Sequence, residues 1–276
     1  MVSQEQRRRQ LAREKFLRQQ QRRTQARRKA HMRNSVIASV LGVIVIGSVA
    51  LYTTGVMKGG NDKKDTAASV TPSATPTSKA ADPCAKPAAG SVKKLSWKKE
   101  PAMTIDTSAN YGMKLATTCG DIDIALKTAA APHTVNSFDF LAGQGYFDHT
   151  KCHRLTTDGI FVLQCGDPQG TGMGGPGYTL PDENLKDTSL KGNKYPAGTV
   201  AMANTGQKHT GGSQFFLVYK DSPLPPSYTP FGTVSDAGMK VLKKIAAAGA
   251  QAADPTSGNT APNATVVINK ATVSKS

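Results

Sequence analysis

The sequence predicts a mainly β domain, an antiparallel barrel or sandwich with two helices, carried behind one membrane-spanning helix. Three observations predict it. From about residue 101 onward, many short strand patterns occur with only two helical ones, and they do not alternate as βαβ units would. Residues 34–57, NSVIASVLGVIVIGSVALYTTGVM, carry no charge, and a helix of roughly 20 apolar residues spans a bilayer core. Residues 58–100 hold few large apolar side chains and cannot bury a core of their own.

The chain has 276 residues and a formal net charge of +16. Residues 1–34 hold twelve Arg or Lys against Glu5 and Glu14, so +10 of that charge lies in this short tail. Such concentration argues against a folded nucleic-acid-binding face, and no nucleic-acid partner is expected. The tail, SQEQRRRQLAREKFLRQQQRRTQARRKAH, reads as a solvated basic segment. A helix lying on anionic headgroups is the sharper alternative, and RNA binding the third. A secretory signal peptide has an apolar stretch of about 7–15 residues behind a short basic start. Both features are longer here, so an uncleaved signal anchor over 35–57 is expected. Its Arg-rich side stays in the cytoplasm. The expectation is a single-pass cell-membrane protein that meets lipid through this anchor and places its C-terminal domain outside the cytoplasm. Residues 58–100 then form a flexible tether, with a root-mean-square span on the order of 35 Å.

The domain over 101–276 can be taken in chain order. YGMKLATT alternates as a strand, and GDIDIALK does so more clearly, with Ile122, Ile124 and Leu126 on one face. APHTVNSFDFLAGQGYF reads as a helix with Pro132 near its start, an apolar side of Val135, Phe138, Phe140 and Leu141, and Gly143 near its end. KCHRL and GIFVLQCG are expected as two strands joined by TTDG. AGTVAMAN, SQFFLVY and TPFGTV are three more strands, GMKVLKKIAAAGA a short helix, and ATVVINKATVS the closing strand.

Several familiar chemistries are weak here. GDPQGTGMGGPGY, residues 166–178, is glycine-rich, but it lacks the Lys of a P-loop and is followed by Pro176, Tyr178 and Pro181 instead of a helix. It is not expected to bind phosphate. Ser213 lacks the G-x-S-x-G surroundings of a nucleophile, and His209, the last histidine, precedes it. Asp121 and Asp123 share one strand face and read as its solvent side. The four cysteines allow three pairings. Cys152 and Cys165 flank the TTDG turn almost symmetrically, and Cys84 with Cys119 would pin the tether's end to the domain. Buried free thiols stay open as an alternative; with no CxxC and scattered histidines, no metal is expected. What remains is Arg154 on a strand whose partner carries Phe161 and Gln164. A fixed fork of donors, amides and several Phe could hold an uncharged, extended peptide.

CHRLTTDGIFVLQCGD, GTVAMAN, GSQFFLVY and TPFGTV occur in that order. Together they resemble the signature of the cyclophilin family of peptidyl-prolyl cis/trans isomerases, over about residues 108–273. The resemblance implies an eight-stranded antiparallel barrel capped by two helices, with the cleft outside one barrel face. It implies Arg154 and Gln164 as catalytic residues. Phe161 and Gln164 match the F-x-x-Q strand, Ala203 and Asn204 the M-A-N segment whose backbone bonds substrate, and Gln214 and Phe216 the Q-F-F strand. Leu224 matches an apolar pocket residue. Gly172, in GTG at 170–172, matches a loop that leaves room for the residue two before proline. The departures lie on the pocket rim: Val162 where Met is common, Tyr228 where His is common, a turn residue inserted between Arg154 and Phe161, and no Trp beside Leu224. The only Trp is Trp97, in the tether. Strong cyclosporin binding is therefore not expected. The implied activity is prolyl isomerisation of exported or membrane-associated clients by a monomer with no cofactor. A proline-peptide-binding or chaperone module with little turnover is the alternative.

Overall fold

The computed structural model describes residues 81–190, 192–254 and 258–275. These fall in the second of the chain's two compact units, Pro76–Ser276. The basic tail, the anchor over 35–57 and the first part of the tether lie outside the described residues. Among the described residues no helix is long and apolar enough to cross a membrane.

The elements are β1 (Tyr111–Thr117), β2 (Gly120–Leu126), α1 (Pro132–Gly143), β3 (Thr150–Lys151), β4 (Arg154–Leu155), β5 (Val162–Cys165), β6 (Thr199–Met202), β7 (Phe215–Val218), β8 (Pro230–Val234), α2 (Asp236–Ala247) and β9 (Val267–Lys275). The strands form one antiparallel sheet in the order β3-β9-β1-β2-β8-β6-β7-β5-β4. The two outermost strands, β3 and β4, are consecutive in the chain and separated only by Cys152 and His153. The sheet therefore curls back toward its own start. Nine strands appear where eight were expected because KCHRL is not one strand. Its first residue pairs with β9 and its last two with β5, so the chain changes partner at Cys152–His153.

Local chemistry explains the elements. In β2, Ile122, Ile124 and Leu126 are buried while Asp121, Asp123 and Ala125 face solvent, the two-residue period of a half-buried strand. The residue before α1, Ala131, supplies no side-chain cap. Glu183 substitutes from a distant loop: its Oε1 accepts from His133 N at 3.0 Å and its Oε2 from Thr134 N at 2.9 Å. This carboxylate satisfies orphan donors and faces the positive end of the helix. In α2, Ser235 Oγ accepts from Gly238 N at 3.1 Å as an N-cap. Phe138 of α1 fills the interior, with ring centroids 4.6 Å from Phe231, 5.2 Å from Phe147 and 5.4 Å from Phe215.

One boundary is corrected. Residues 81–100, assigned by composition to the tether, lie on the domain. Cys84 is disulfide-bonded to Cys119 in the β1–β2 turn, with Cα atoms 4.3 Å apart. Ala85 N donates to Thr118 O at 2.8 Å. Trp97 lays its ring against Phe140 and Tyr146, at centroid distances of 5.1 and 5.9 Å. The docking uses one crosslink, one aromatic ring, main-chain bonds and a few polar side-chain bonds, none of which needs the apolar periodicity that marks an element. The second disulfide joins Cys152 to Cys165, with Cα atoms 4.0 Å apart.

Candidate active site

Directly opposed residues on neighbouring strands share a face. The register pairs Arg154 with Gln164, Gln164 with Phe216, and Phe216 with Ala201. These four residues form a row across β4, β5, β7 and β6. The row lies on the face away from Leu163, Phe215 and Leu217, which belong to the interior core.

The polar end of the row is a directed chain of hydrogen bonds. Arg154 Nη1 donates to Gln164 Oε1 at 3.1 Å, Gln164 Nε2 to Gln214 Oε1 at 2.9 Å, and Gln214 Nε2 to Gly174 O at 2.9 Å. Each amide accepts with its oxygen and donates with its nitrogen, so the chain fixes both amides in one orientation. Among the described residues Arg154 makes no ion pair, and its other guanidinium N–H donors have no partner. Burial pulls the guanidinium below its ordinary value while Tyr228 pulls the other way; an Arg keeps its charge through shifts of this kind.

The apolar end is a second cluster. Val162, Tyr195, Ala201, Phe216 and Val218 are buried in it, and Ile160, Leu190, Ala203, Leu224 and Tyr228 cover it in part. Tyr228 stands edge-on to Phe216, with centroids 5.5 Å apart. Tyr195, which no motif marked, holds Tyr228 in place. Its hydroxyl donates to Tyr228 O at 2.7 Å and accepts from Tyr228 N at 3.1 Å. Burial pushes that hydroxyl up to about 12. Phe161 is corrected: it is not in this cluster. It precedes β5, one residue out of phase with Val162, and its ring lies 6.0 Å from Tyr219 with Lys220 Nζ 4.4 Å from its centroid.

A cavity of about 670 Å³ continues the site between Gly172–Thr179 and the segments around Ala203–Thr205 and Gly212–Gln214. Gln164 and Gln214 line it. The Asn204 side chain is engaged, its Nδ2 donating to Ser227 O at 2.8 Å and its Oδ1 accepting from Gly206 N at 2.9 Å. Among the described residues the main-chain N–H and C=O of Asn204 have no partner.

The glycine loop between β5 and β6 is organised around its own carboxylate. Asp167 is fully buried. Its Oδ1 accepts from Gln169 N at 2.7 Å; its Oδ2 accepts from Thr171 N at 2.9 Å and Gly172 N at 2.6 Å. Burial alone would raise this carboxyl, but main-chain donors from Gln169, Gly174 and Gly172 outweigh it and hold it below its ordinary value. A Cβ on Gly174 would overlap Asp167 Oδ1. The donors that could have cradled a phosphate are thus spent internally. Gly172, at φ +83°, lines the cavity, yet a Cβ there would come 2.9 Å from Asn259 Nδ2. A side chain at 172 would meet Asn259 first.

Residues 112–273 match the family described as cyclophilin type peptidyl-prolyl cis-trans isomerase/CLD. The chain is similar to a probable peptidyl-prolyl cis-trans isomerase B of Mycobacterium leprae, 48% identical over 183 residues, covering 62% of this chain and 56% of that protein. A protein of the same description from Mycobacterium tuberculosis is 50% identical over 149 residues, covering 51% of this chain and 48% of the relative. Peptidyl-prolyl cis-trans isomerase B of Bacillus subtilis is 42% identical over 125 residues, 45% of this chain and 82% of that protein. The chain spans about half the length of the two mycobacterial relatives.

Proposed function

The chain belongs to the cyclophilin-type peptidyl-prolyl isomerase family, and we propose that the Arg154 row rotates X–Pro peptide bonds. Resonance puts a barrier of about 18–20 kcal/mol on that rotation. No bond forms or breaks, so a catalyst need only bind the twisted state better than the planar ones. In the twisted state resonance is lost and the proline nitrogen gains a lone pair. An N–H of Arg154 aimed at that nitrogen is a preorganised donor for charge that appears only then.

The surrounding residues fit the accompanying tasks. Val162, Phe216, Ala203, Leu224 and Tyr228 can take the proline ring. The unpartnered main-chain groups of Asn204 can receive the flanking peptide as an added strand. Gln164, braced by Gln214, keeps the guanidinium from swinging away. Phe161, placed with Tyr219 and Lys220, has no part in the ring pocket on this reading. The observation that carries the proposal is a half-buried, unpaired Arg154 held by an amide beside an open aromatic cluster.

The test is Arg154→Ala in an NMR exchange or protease-coupled assay on a prolyl peptide. Turnover should fall about a hundred- to a thousandfold, roughly 3–4 kcal/mol of barrier, with the melting temperature little changed. Unchanged turnover removes Arg154 from the reaction; peptide binding without any wild-type turnover would make the domain a binding module instead.

We further propose that the domain works outside the cytoplasmic membrane on exported or membrane-associated chains. The uncharged run 34–57 behind an Arg-rich tail supports this. Protease added to intact cells should remove the domain; full protection would reverse the orientation.

A further inference from the structure

We propose that residues 84–100 form a positioning strap for the glycine loop, with Trp97 as its positioning residue, and thereby set which residues ahead of proline the cleft accepts. The inference rests on reading the cleft as an isomerase site. The strap lies outside the residues that match the family, 112–273.

The strap is fastened along its length. Its start is fixed by the Cys84–Cys119 disulfide. Ala88 N donates to Asn269 Oδ1 at 3.0 Å, on β9. Gly90 lies so close over the His149 ring that a Cβ would overlap it. Lys93 Nζ donates to Gln144 O at 2.9 Å, at the C-terminal end of α1. Its far end is held by Glu100, whose Oε1 lies 2.6 Å from His133 Nδ1. Just before that end, Trp97 stands edge-on to Phe140 and tilted against Tyr146, the kind of aromatic packing that adds to area burial.

The strap also touches the wall of the cleft. Trp97 N donates to Pro176 O at 2.8 Å. Gly177, at φ +92°, sits against Ser96 and the Trp97 backbone, where a Cβ would overlap both. Val92–Ser96 and the loop residues Pro168, Gln169 and Gly175 enclose a cavity of about 570 Å³ between them. The glycine loop is therefore gripped twice. Asp167 holds Gln169–Gly174 from the inside, and Trp97 holds Pro176–Gly177 from the outside. Between the grips lies Gly174 O, which receives Gln214 and so connects to Gln164 and Arg154. A loop freed on its outer side would widen the cavity over Gln164 and Gln214. It would leave Arg154 attached to Gln164.

That separation predicts a split in kinetics. In the full-length chain, Trp97→Ala should raise KM about tenfold for prolyl peptides and change kcat by less than about twofold. It should also reorder preference among peptides that differ two residues before proline. Amide hydrogen exchange at 173–177 should accelerate while the amides of β5–β7 stay protected. Trp97→Phe should restore both. If Trp97→Ala does not fold, Cys84→Ser with Cys119→Ser frees the other end of the strap and should show the same pattern, more weakly. Unchanged loop exchange in the freed variants overturns the inference, as does a uniform fall in kcat with KM and peptide order intact. Should the wild type lack isomerase activity, the functional reading fails by itself, and loop exchange alone decides the strap.

Discussion

The three strands β5, β6 and β7 carry two apolar clusters back to back. Leu163, Cys165, Val200, Met202, Phe215 and Leu217 face the interior core. Val162, Ala201, Phe216 and Val218, their alternate neighbours, face the outer cluster. Both faces are largely apolar, with Gln164 the polar exception on the outer one, yet they are built differently. The inner one is closed on every side by rings such as Phe138, Phe147 and Phe231, all fully buried. The outer one has a rim of half-covered side chains and an unpaired cation at its edge. An antiparallel sheet with one face in water alternates apolar and polar residues. When both faces are apolar and only one is sealed, the other is open for a ligand.

The largest expected effect tests the sealed side. Phe138→Ala should cost about 3–5 kcal/mol of stability, as a large ring leaves a cavity in a packed core. In urea titrations the midpoint should drop strongly, while the turnover of the molecules still folded stays near wild type. Phe216→Ala should act in the opposite sense, with a smaller loss of stability and a larger rise in KM, because its outer face borders the rim. If both variants lost stability alike with KM untouched, the outer cluster would be a second core and no pocket.

These contrasts bear on what the sequence could reveal. The alternation in β2 was plain because Asp121 and Asp123 mark the wet face. FFLV in β7 has no polar residue, so its two faces could be told apart only by register against β5 and β6. The resemblance singles out Arg154, Gln164, Gln214 and Phe216; the structure joins the first three by hydrogen bonds and sets Phe216 opposite Gln164 in the register. Phe161 was misplaced because a motif records order along a chain, whereas facing depends on where β5 begins. Tyr195 was invisible: it sits in KYPAG, away from any apolar pattern, and its task is to hold another residue's backbone. The ring of donors around Asp167 was hidden for a related reason, since main-chain N–H groups leave no trace in side-chain identity. The strap was read as tether because docking through a disulfide, one Trp and a few main-chain bonds requires little apolar composition.

The smallest expected effect concerns the strap's last fastening, and it sharpens the comparison because it should spare the core altogether. His133 Nδ1 and Glu100 Oε1 lie 2.6 Å apart, with His133 47% exposed in its side chain. The hydrogen bond to Glu100 raises the imidazole's pKa, with burial opposing and the charges of Glu100 and Glu183 adding to the rise. The folded value therefore lies above the ordinary one of about 6.5. The pair's contribution is complete below about pH 6.5 and fades as pH climbs through the raised folded value. Exposure limits the contribution to less than about 1 kcal/mol. Urea midpoints of the wild type and His133→Gln should accordingly differ at pH 5.5 and converge by about pH 8.5, with loop exchange at 173–177 following the same course. A gap that stayed constant across that range would mean that His133 acts through packing and not through its charge.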